Sequence, residues 1–385
     1  MLAGFGAFLD LYCTQPLLPL LARTFHASSF AVSLTITAPT LAVALAAPVV
    51  GRLADSLGLR KVIVGSAVAL AAATLLAATS TSLTQLVAWR FVQGLATPGL
   101  FASAIAYIHA EWPPSRAGRA TAAYVSGTVL GGVMGRMSAG LMAADVSWAS
   151  SFVLLGVISL AIAAGLWTWL PAEQHRPAAE PGDEAGTLRA HLHSPPLLAT
   201  FAVGFCMLCT QVAMFTYVPF LLAAPPFSLS SAALGMIFLT YLVGAAATPF
   251  SGRGIDRFGH RAVLMLALGL CTAGALLTLT PSLLGVGTGL ALFATGIFFG
   301  QAASSSHVAH HAPRGRALAI GLYATAYYVG GSVGGAVPAA ILERGGWPGC
   351  VAFVVAIEIA VLLIALRTWK PAPGESADLS FQTAD

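Results

Sequence analysis

Residues 48–60 of the chain read PVVGRLADSLGLR, and residues 249–261 read PFSGRGIDRFGHR. Proline, glycine, arginine, aspartate, glycine and arginine occupy the same positions in both stretches, at a constant offset of 201 residues. Apolar sequences often resemble one another by chance, but turn-forming and charged residues at fixed spacing rarely do. The two stretches therefore indicate that the chain contains two copies of one unit.

The composition indicates which solvent surrounds these two copies. Of 385 residues, 18 are Lys or Arg and 14 are Asp or Glu, so charged residues make up 8% of the chain, against about 25% in a soluble domain. Hydrophobic residues make up 57%. A soluble protein cannot cover itself with so few polar groups. These values exclude a soluble enzyme, a nucleic-acid binder and a disordered chain, and they favour a protein embedded in lipid.

Twelve apolar runs are long enough to cross a bilayer as helices, which takes about 20 residues. They cover residues 2–22, 30–50, 61–79, 83–108, 117–142, 147–170, 197–222, 231–250, 261–280, 283–306, 315–340 and 347–369. Most connections are short, but residues 171–195 are rich in proline and acidic residues, which predicts a flexible linker. The predicted domains are bundles at 1–170 and 196–370, joined by linker 171–195 and followed by a polar tail at 371–385. The predicted fold class is an all-α membrane protein with two pseudo-symmetric six-helix bundles.

The basic residues predict the orientation in the membrane. With the N-terminus in the cytoplasm, fourteen of the eighteen Lys and Arg residues fall on cytoplasmic connections or at the C-terminal end. Arg23 and Arg344 fall on the opposite side, and Arg90 and Arg136 lie inside spans. Because cytoplasmic loops carry an excess of Lys and Arg, this distribution predicts a multi-pass membrane protein with both termini cytoplasmic.

Three motifs resemble a known family. The first copy of the repeated stretch, Gly51-x-Leu-Ala-Asp55-x-x-Gly58-x-Arg60-Lys61, resembles the signature loop of the major facilitator superfamily. The run RFVQG at 90–94 resembles that superfamily's arginine motif in the fourth helix, and YCTQPLLP at 12–19 resembles bacterial inner-membrane sugar- or drug-efflux permeases. The resemblance covers the whole chain. It implies the major facilitator fold, in which helices 1, 4, 7 and 10 line a central cavity, and it implies a place in the bacterial inner membrane.

The resemblance assigns a gating role to both copies of the repeated stretch, which we call the first and second signature loops. Asp55 is expected to latch the two halves on the cytoplasmic side by pairing with an arginine and a helix N-terminus, with Asp256 as its weaker counterpart. The alternative is that the basic residues of the loop merely set the orientation. The expected gating residues are Gly51, Asp55, Gly58, Arg60, Lys61, Gly252, Asp256 and Arg261.

Ionisable residues inside spans are costly and are therefore functional candidates. Asp10 lies midway along the first span, and we expect it to carry a coupling proton. Arg90 is expected to modulate the proton affinity of a carboxyl or to contact an anionic cargo group, and Glu358 is a further coupling candidate. The alternatives are an Asp10 bonded permanently to a neighbouring helix, a fixed Arg90 ion pair and a Glu358 hydrogen bond between helices.

The fifth span is rich in glycine, which lets helices approach closely. Gly131, Gly132 and Gly135 are expected at a helix interface, and Arg136 either at an outer gate or snorkelling to the membrane surface. The superfamily's antiporters carry proline where this chain has Gly132 and glycine where it has Arg136. This departure weakens the prediction of an antiporter.

The remaining polar residues on the spans are candidates for cargo binding, although each alone is more often a helix–helix contact. The expected substrate-binding residues are Tyr12, Gln15, Gln93, Gln211, Tyr217 and Tyr327. Histidines 307, 310 and 311 are assigned to solvated connections, and the sequence predicts no metal site and no cofactor. It contains no Walker loop, so transport driven by ATP is not expected.

Together these features predict a secondary transporter, not an enzyme. The leading hypothesis is proton-coupled export of a small organic or amphipathic compound by a monomer whose partners are the cargo, protons and lipid. The alternatives are a proton-coupled nutrient symporter, and a lipid flippase or non-transporting sensor on the same scaffold.

Overall fold

The computed structural model describes residues 1–173, 184–312 and 315–369. The predictions for linker residues 174–183, for Arg314 and for the tail from Lys370 onward lie outside the described residues. The described chain is helical throughout, with no strand in the ranges given above. The helices are α1 (Leu2–Leu11), α2 (Leu18–Thr24), α3 (Ser29–Leu57), α4 (Leu59–Ala78), α5 (Leu83–Glu111), α6 (Pro114–Asp145), α7 (Trp148–Trp169), α8 (Glu184–Leu192), α9 (Pro195–Ala223), α10 (Ser231–Met236), α11 (Thr240–Leu277), α12 (Leu283–His311) and α13 (Arg316–Thr368).

Apart from α8, which lies in the predicted linker, the helices coincide with the predicted spans. In the part of the chain that the structure describes, nine helical stretches are long and apolar enough to cross a membrane. Two of them, at Ser231–Leu277 and Leu318–Thr368, contain 47 and 51 residues. A helix rises about 1.5 Å per residue, so each is long enough for two crossings. A further helix, α6, covers the predicted span 117–142.

Serine and glycine residues mark where the helices begin and turn. The side chains of Ser28, Ser82 and Ser147 accept hydrogen bonds from the first turns of α3, α5 and α7, as N-cap residues do. We call the end of the bundle where these three helices begin the serine-capped end. Gly58 ends α3 and Gly259 interrupts α11, and their φ values of 95° and 82° are ones that residues with a side chain rarely adopt. The two signature loops therefore turn in the same way.

The first span is not the one continuous helix that the sequence predicts. Helix α1 ends at Leu11, a 3₁₀ turn covers Gln15–Leu17, and α2 begins at Leu18. Pro16 has no N–H to donate to the carbonyl four residues earlier, and its ring opposes a continuous α-helix. The Gln15 N–H bonds to the Tyr12 carbonyl at 3.1 Å, which leaves the Leu11 carbonyl for another donor.

The chain divides into two compact units. The first contains Met1–Pro181, Phe215–Leu239 and Gly331–Trp347. The second contains Gly182–Met214, Thr240–Gly330 and Pro348–Asp385. The first unit thus includes segments from both sides of the predicted linker, and the predicted boundaries at 170 and 196 stay a prediction.

Candidate transport and gating sites

Arg90 binds the main chain at the break in the first span. Its side chain is fully buried in α5. Nη1 donates to the Asp10 carbonyl at 2.8 Å, Nη2 donates to the Leu11 carbonyl, and Nε donates to the Thr35 carbonyl of α3 at 2.9 Å. These are carbonyl groups that need a donor because they lie away from water. Arg90 therefore holds α5, α3 and the break in one arrangement.

Gln93 lies one helical turn after Arg90 and extends the same network. Its side-chain oxygen accepts a hydrogen bond from Arg90 Nη1 at 2.6 Å, and its Nε2 donates to Thr74 Oγ1 at 2.6 Å. Gln93 is 1% exposed. The structure therefore brings two sequence-predicted residues together, with Thr74 of α4 as a partner that the sequence did not indicate.

Asp10 is fully buried beside this network, with one carboxylate oxygen engaged. Oδ2 accepts a hydrogen bond from Ser159 Oγ of α7 at 2.8 Å. Oδ1 has no hydrogen-bond partner among the described residues. The nearby Thr74 hydroxyl donates its proton to the Leu70 carbonyl at 2.8 Å. Arg90 reaches the main-chain carbonyl of Asp10, and no ion pair joins the two side chains within the described ranges. Asp10 is therefore a buried carboxyl with a vacant acceptor atom.

Glu358 is a second buried carboxyl, in α13 and in the second unit. It is 2% exposed, and neither of its oxygens has a hydrogen-bond partner among the described residues. The neighbouring Thr210 hydroxyl donates to the Met207 carbonyl at 3.2 Å instead. Glu358 lies in an apolar helix without the polar network that surrounds Asp10.

Arg136 is buried near the serine-capped end, in contact with side chains of several segments. Its Nε donates to Gln15 Oε1 at 2.7 Å, and its Nη1 donates to the Gly132 carbonyl at 2.6 Å. The guanidinium carbon lies 5.0 Å from the Tyr12 ring centroid and 4.8 Å from that of Phe238. Both distances are within cation–π range. Arg136 therefore does not snorkel to the membrane surface, because it is 5% exposed and its head group is enclosed.

Gln15 continues the Arg136 contact into α9. Its Nε2 donates to Thr216 Oγ1 at 3.2 Å, and both side chains are buried. The first unit contains two more hydrogen bonds between α3 and α13. Ser332 Oγ donates to Thr40 Oγ1 at 3.1 Å, and Ser29 Oγ donates to Glu343 Oε1 at 3.0 Å. Side chains from both sides of the predicted linker thus meet inside one unit.

The glycines of α6 allow it to pack on α1. A side chain on Gly131 would collide with the Phe5 carbonyl, and one on Gly135 would collide with the Leu9 carbonyl. A side chain on Gly132 would instead meet the Arg136 guanidinium. Two of the three glycines therefore lie directly on the α1 backbone, and the third provides room for Arg136.

The other predicted cargo-binding residues lie in two places. In the second unit, Gln211 Nε2 donates to the Tyr241 hydroxyl at 3.2 Å, and the Tyr327 hydroxyl donates to Gln211 Oε1 at 3.5 Å. In the first unit, the Tyr217 hydroxyl donates to the Gly335 carbonyl. Tyr241 could not be predicted from the sequence as the partner of Gln211, because a tyrosine on an apolar helix is usually a packing residue.

The first signature loop is held by a residue that the sequence did not single out. The Leu59 N–H at the start of α4 donates to Glu173 Oε2 at 2.7 Å. Arg60 donates to the Leu170 and Trp167 carbonyls at 2.8 and 2.9 Å. Glu173 lies in the predicted linker, where nothing in the pattern marks a helix-capping carboxylate.

The two loop aspartates do not make the expected pairs in this structure. Asp55 and Asp256 are exposed, and neither has a hydrogen bond or an ion pair with any described residue. In the second loop, Arg261 Nη1 donates to the Trp369 carbonyl at 3.5 Å. The expected latch of Asp55 therefore stays a prediction for another state of the protein. The other expected gating residues lie around these turns, with Gly51 and Gly252 in open space and Lys61 exposed.

Comparisons with known proteins agree with this architecture. A model of the Major Facilitator Superfamily matches residues 1–313 and 222–383. The chain is 35% identical over 367 residues to the uncharacterized MFS-type transporter YybF of Bacillus subtilis (strain 168), covering 94% of this chain and 90% of that protein. It is 30% identical over 367 residues to the inner membrane transport protein YnfM of Escherichia coli (strain K12), covering 95% and 88%. The solved structure of the nucleoside transporter NupG has a TM-score of 0.77 at 16% identity, over 96% of this chain and 99% of that one, which is a likeness of fold.

Proposed function

Because this chain belongs to the major facilitator superfamily and is a membrane transporter, we propose that it couples proton entry to the export of a small organic or amphipathic compound. In alternating access, the cargo site opens to one side of the membrane at a time, and a proton gradient gives the cycle its direction. The observation that carries the proposal is the vacant oxygen of the buried Asp10 carboxyl.

Asp10 has the surroundings that a proton carrier requires. Its carboxyl makes one hydrogen bond, to Ser159, and can therefore take up a proton at Oδ1 without breaking an ion pair. It adjoins the break in the first span, where the main chain departs from a regular helix. Arg90 places a fixed positive charge next to this carboxyl through the Asp10 carbonyl. Rotation of the Asp10 carboxyl away from Ser159 would change the distance between the two charges, and so the proton affinity of Asp10.

We assign Glu358 a secondary part in coupling. It is buried and has no donor among the described residues, but the charged and amide side chains found near Asp10 are missing from its described contacts. A buried carboxyl without partners is costly to ionise. Glu358 is therefore suited to hold a proton for long periods rather than to exchange one in every cycle.

The contacts around Arg136 are proposed to form the outer gate. The charge distribution of the sequence predicts that the serine-capped end faces away from the cytoplasm. Arg136, Gln15 and Thr216 link α6, the break and α9 there. Alternating access requires such links to break when the transporter opens outward. Asp55, which is exposed, is assigned to the opposite gate, where it would find partners in the outward-open state.

Export is favoured over import by the similarity of residues 12–19 to efflux permeases, and the name of the relative YnfM favours the inner membrane. In the first unit, Gln15 and Tyr12 near the break are the proposed cargo-binding residues. In the second unit, the proposed cargo-binding residues are Gln211 and Tyr327. These are amide and phenol groups, which suit an uncharged or amphipathic compound better than a highly charged one.

The experiment is transport by purified protein in sealed vesicles with an imposed pH gradient and a library of small organic compounds. Cargo-dependent proton flux is expected, with cargo and proton moving in opposite directions. Asp10→Asn should retain exchange of cargo down its own gradient but lose uphill transport, because Asn cannot carry a proton. Asp145→Asn is the matched control, since Asp145 is an exposed acid at the end of α6.

Each other outcome identifies a different function. Movement of cargo and proton in the same direction would indicate a nutrient symporter. Absence of any cargo-dependent proton flux would favour a flippase or a sensor, and fluorescent lipid analogues in the same vesicles would separate those two. Uphill transport by Asp10→Asn at the wild-type rate would remove Asp10 from the coupling mechanism.

A further inference from the structure

Four histidines and a tryptophan form a cluster in the second unit, beside the second signature loop. We call it the His–Trp cluster, and its members are His260, His307, His310, His311 and Trp369. The stretch predicted to be a solvated connection is helical, because α12 continues to His311. Within it, His307 is only 4% exposed. The His307 ring stacks on the His311 ring and on the Trp369 ring, with centroids 3.9 Å apart in each case. The planes of His307 and Trp369 are within 2° of parallel.

The cluster joins three parts of the second unit. His260 follows Gly259 in the second signature loop, and its ring centroid lies 5.6 Å from that of His307 and 6.1 Å from that of His310. The adjacent Arg261 donates to the main-chain carbonyl of Trp369, the residue that follows α13, and a second hydrogen bond of 3.0 Å joins His260 Nε2 to Ser306 Oγ of α12. The loop, the end of α12 and the end of α13 are thus connected through ring contacts and two hydrogen bonds.

The hydrogen bonds define where the protons of the buried ring lie. The Thr200 hydroxyl donates its proton to the Pro196 carbonyl at 2.7 Å, so its oxygen accepts from His307 Nδ1 at 2.8 Å. His311 Nδ1 donates to the His307 carbonyl at 3.1 Å. A neutral His307 therefore carries its proton on Nδ1. A second proton on Nε2 would place a charge between two stacked rings.

The groups that face His307 oppose such a charge. His310 and His311 on its own helix, and His260 from the loop, are the titratable groups beside it. Arg261 is positive already, whereas Thr200 and Trp369 are neutral. Asp256 is the acid that acts on His260, and it is exposed. Positive charges accumulating on rings 4 to 6 Å apart would repel one another.

We propose that the His–Trp cluster is a proton-sensitive clamp on the second signature loop. With neutral imidazoles, the stacked rings fix the loop to the end of α13, and protonation of several rings releases it. A solvated imidazole takes up a proton near neutral pH, so acidification favours the released state, in which the rings reach water. The clamp does not depend on cargo or on Asp10. Its consequence, a transport rate that depends on the pH at this end of the protein, rests on the proposed function.

Tryptophan emission reports on the clamp directly, because release would expose the buried indole of Trp369 to water and shift its emission to longer wavelength. The Trp369 signal is the difference between the emission of the purified protein and that of Trp369→Phe, followed from about pH 8 to about pH 5. We expect the maximum of this difference spectrum to shift to longer wavelength as the pH falls and the clamp opens. The shift should disappear when Trp369→Phe is compared with unaltered Trp369 in a His307→Gln background. His193→Gln is the control, since the His193 side chain is exposed and bonds only to the Arg189 carbonyl among the described residues.

A second variant keeps the test decisive if His307→Gln does not fold. The double substitution His310→Gln and His311→Gln changes two exposed side chains, and it should move the midpoint to lower pH, because fewer positive charges then repel one another and drive the release. The clamp is refuted if the Trp369 signal does not change with pH, if His307→Gln retains the whole change, or if the double variant keeps the wild-type midpoint. Asp10→Asn should retain the signal, which separates failure of the clamp from failure of proton-coupled transport.

Discussion

The first unit contains two buried arginines whose partners differ in kind. Arg90 donates to three main-chain carbonyls, on Asp10, Leu11 and Thr35. Arg136 binds the Gln15 amide and lies against the rings of Tyr12 and Phe238, besides one carbonyl of its own helix. Both charges are taken out of water, which is tolerated only when the charge has good partners.

This difference separates a scaffold from the proposed gate. Carbonyls at a helix break cannot move away without refolding the helix, so the Arg90 contacts must persist throughout the transport cycle. Side chains can rotate away and can be replaced by water, so the Arg136 contacts can break in each cycle. The sequence-based interpretation of Arg90 as a partner of a carboxylate is thereby sharpened, because its guanidinium acts on Asp10 through the main chain.

The largest effect is expected for Arg90→Met, which keeps the length of the side chain and removes every donor. Each buried carbonyl left without a partner costs about 1–3 kcal/mol, so three of them cost several kcal/mol. That is a large share of a typical stability of roughly 5–15 kcal/mol. We expect the melting temperature of the detergent-purified protein to fall by at least about 10 °C.

Arg23→Met provides the reference for Arg90→Met, because Arg23 is exposed at the end of α2. The Arg23→Met protein should have the melting temperature of the wild type. A melting temperature of Arg90→Met equal to that of the wild type, together with lost transport, would contradict the scaffold interpretation. Arg90 would then act on the transported proton or cargo and not on the helix break.

A smaller effect of a different kind is expected for Arg136→Gln. The lost charged hydrogen bond is worth about 1.5–3 kcal/mol and the cation–π contacts about 0.5–2 kcal/mol, part of which the new amide recovers. A net loss of about 2 kcal/mol shifts the equilibrium about 30-fold toward the outward-open state. The melting temperature should change little. The native thiol of Cys13, at the break, should react faster with an impermeant maleimide in a variant whose other four cysteines are serine.

The control for Arg136→Gln is Arg119→Gln, an exposed arginine on the same helix, which should leave the labelling rate of Cys13 unchanged. Equal labelling rates in Arg136→Gln and the parent protein would show that the Arg136 contacts do not restrain the break. A large fall in melting temperature would place Arg136 with Arg90 as a scaffold residue.

The fold could be predicted from the sequence because lipid imposes simple rules. Apolar length and glycine turns are local properties, so the spans and the bends at Gly58 and Gly259 follow from the composition of each segment. The break after Leu11 was not predicted. The apolar residues of the first span continue across Pro16. Proline within a membrane helix often leaves the helix intact, as Pro39 and Pro48 do in α3.

The candidate site could be predicted as a set of residues but not as a network. A charge inside an apolar run identifies Asp10, Arg90, Arg136 and Glu358 without any structure. Their partners are main-chain carbonyls and common hydroxyls such as that of Ser159, which have no distinctive sequence pattern. The burial of His307 was also missed, since a cluster of histidines near a turn reads as solvated until the end of α13 is placed against it.

The smallest effect in the comparison is expected for Thr216→Val, which preserves shape and removes the last hydroxyl of the Arg136–Gln15–Thr216 chain. One neutral hydrogen bond is worth about 1 kcal/mol, so Cys13 should label about fivefold faster than in the parent. Thr210→Val is the matched control, because its hydroxyl bonds to the Met207 carbonyl in the second unit. A Thr216→Val effect as large as that of Arg136→Gln would mean that the gate depends on the amide–hydroxyl bond and that the buried charge only orients Gln15. No change in the labelling rate would mean that the contacts that break in the cycle end at Gln15 and do not include Thr216. Phe238 would then be the partner that closes the gate by packing on Arg136.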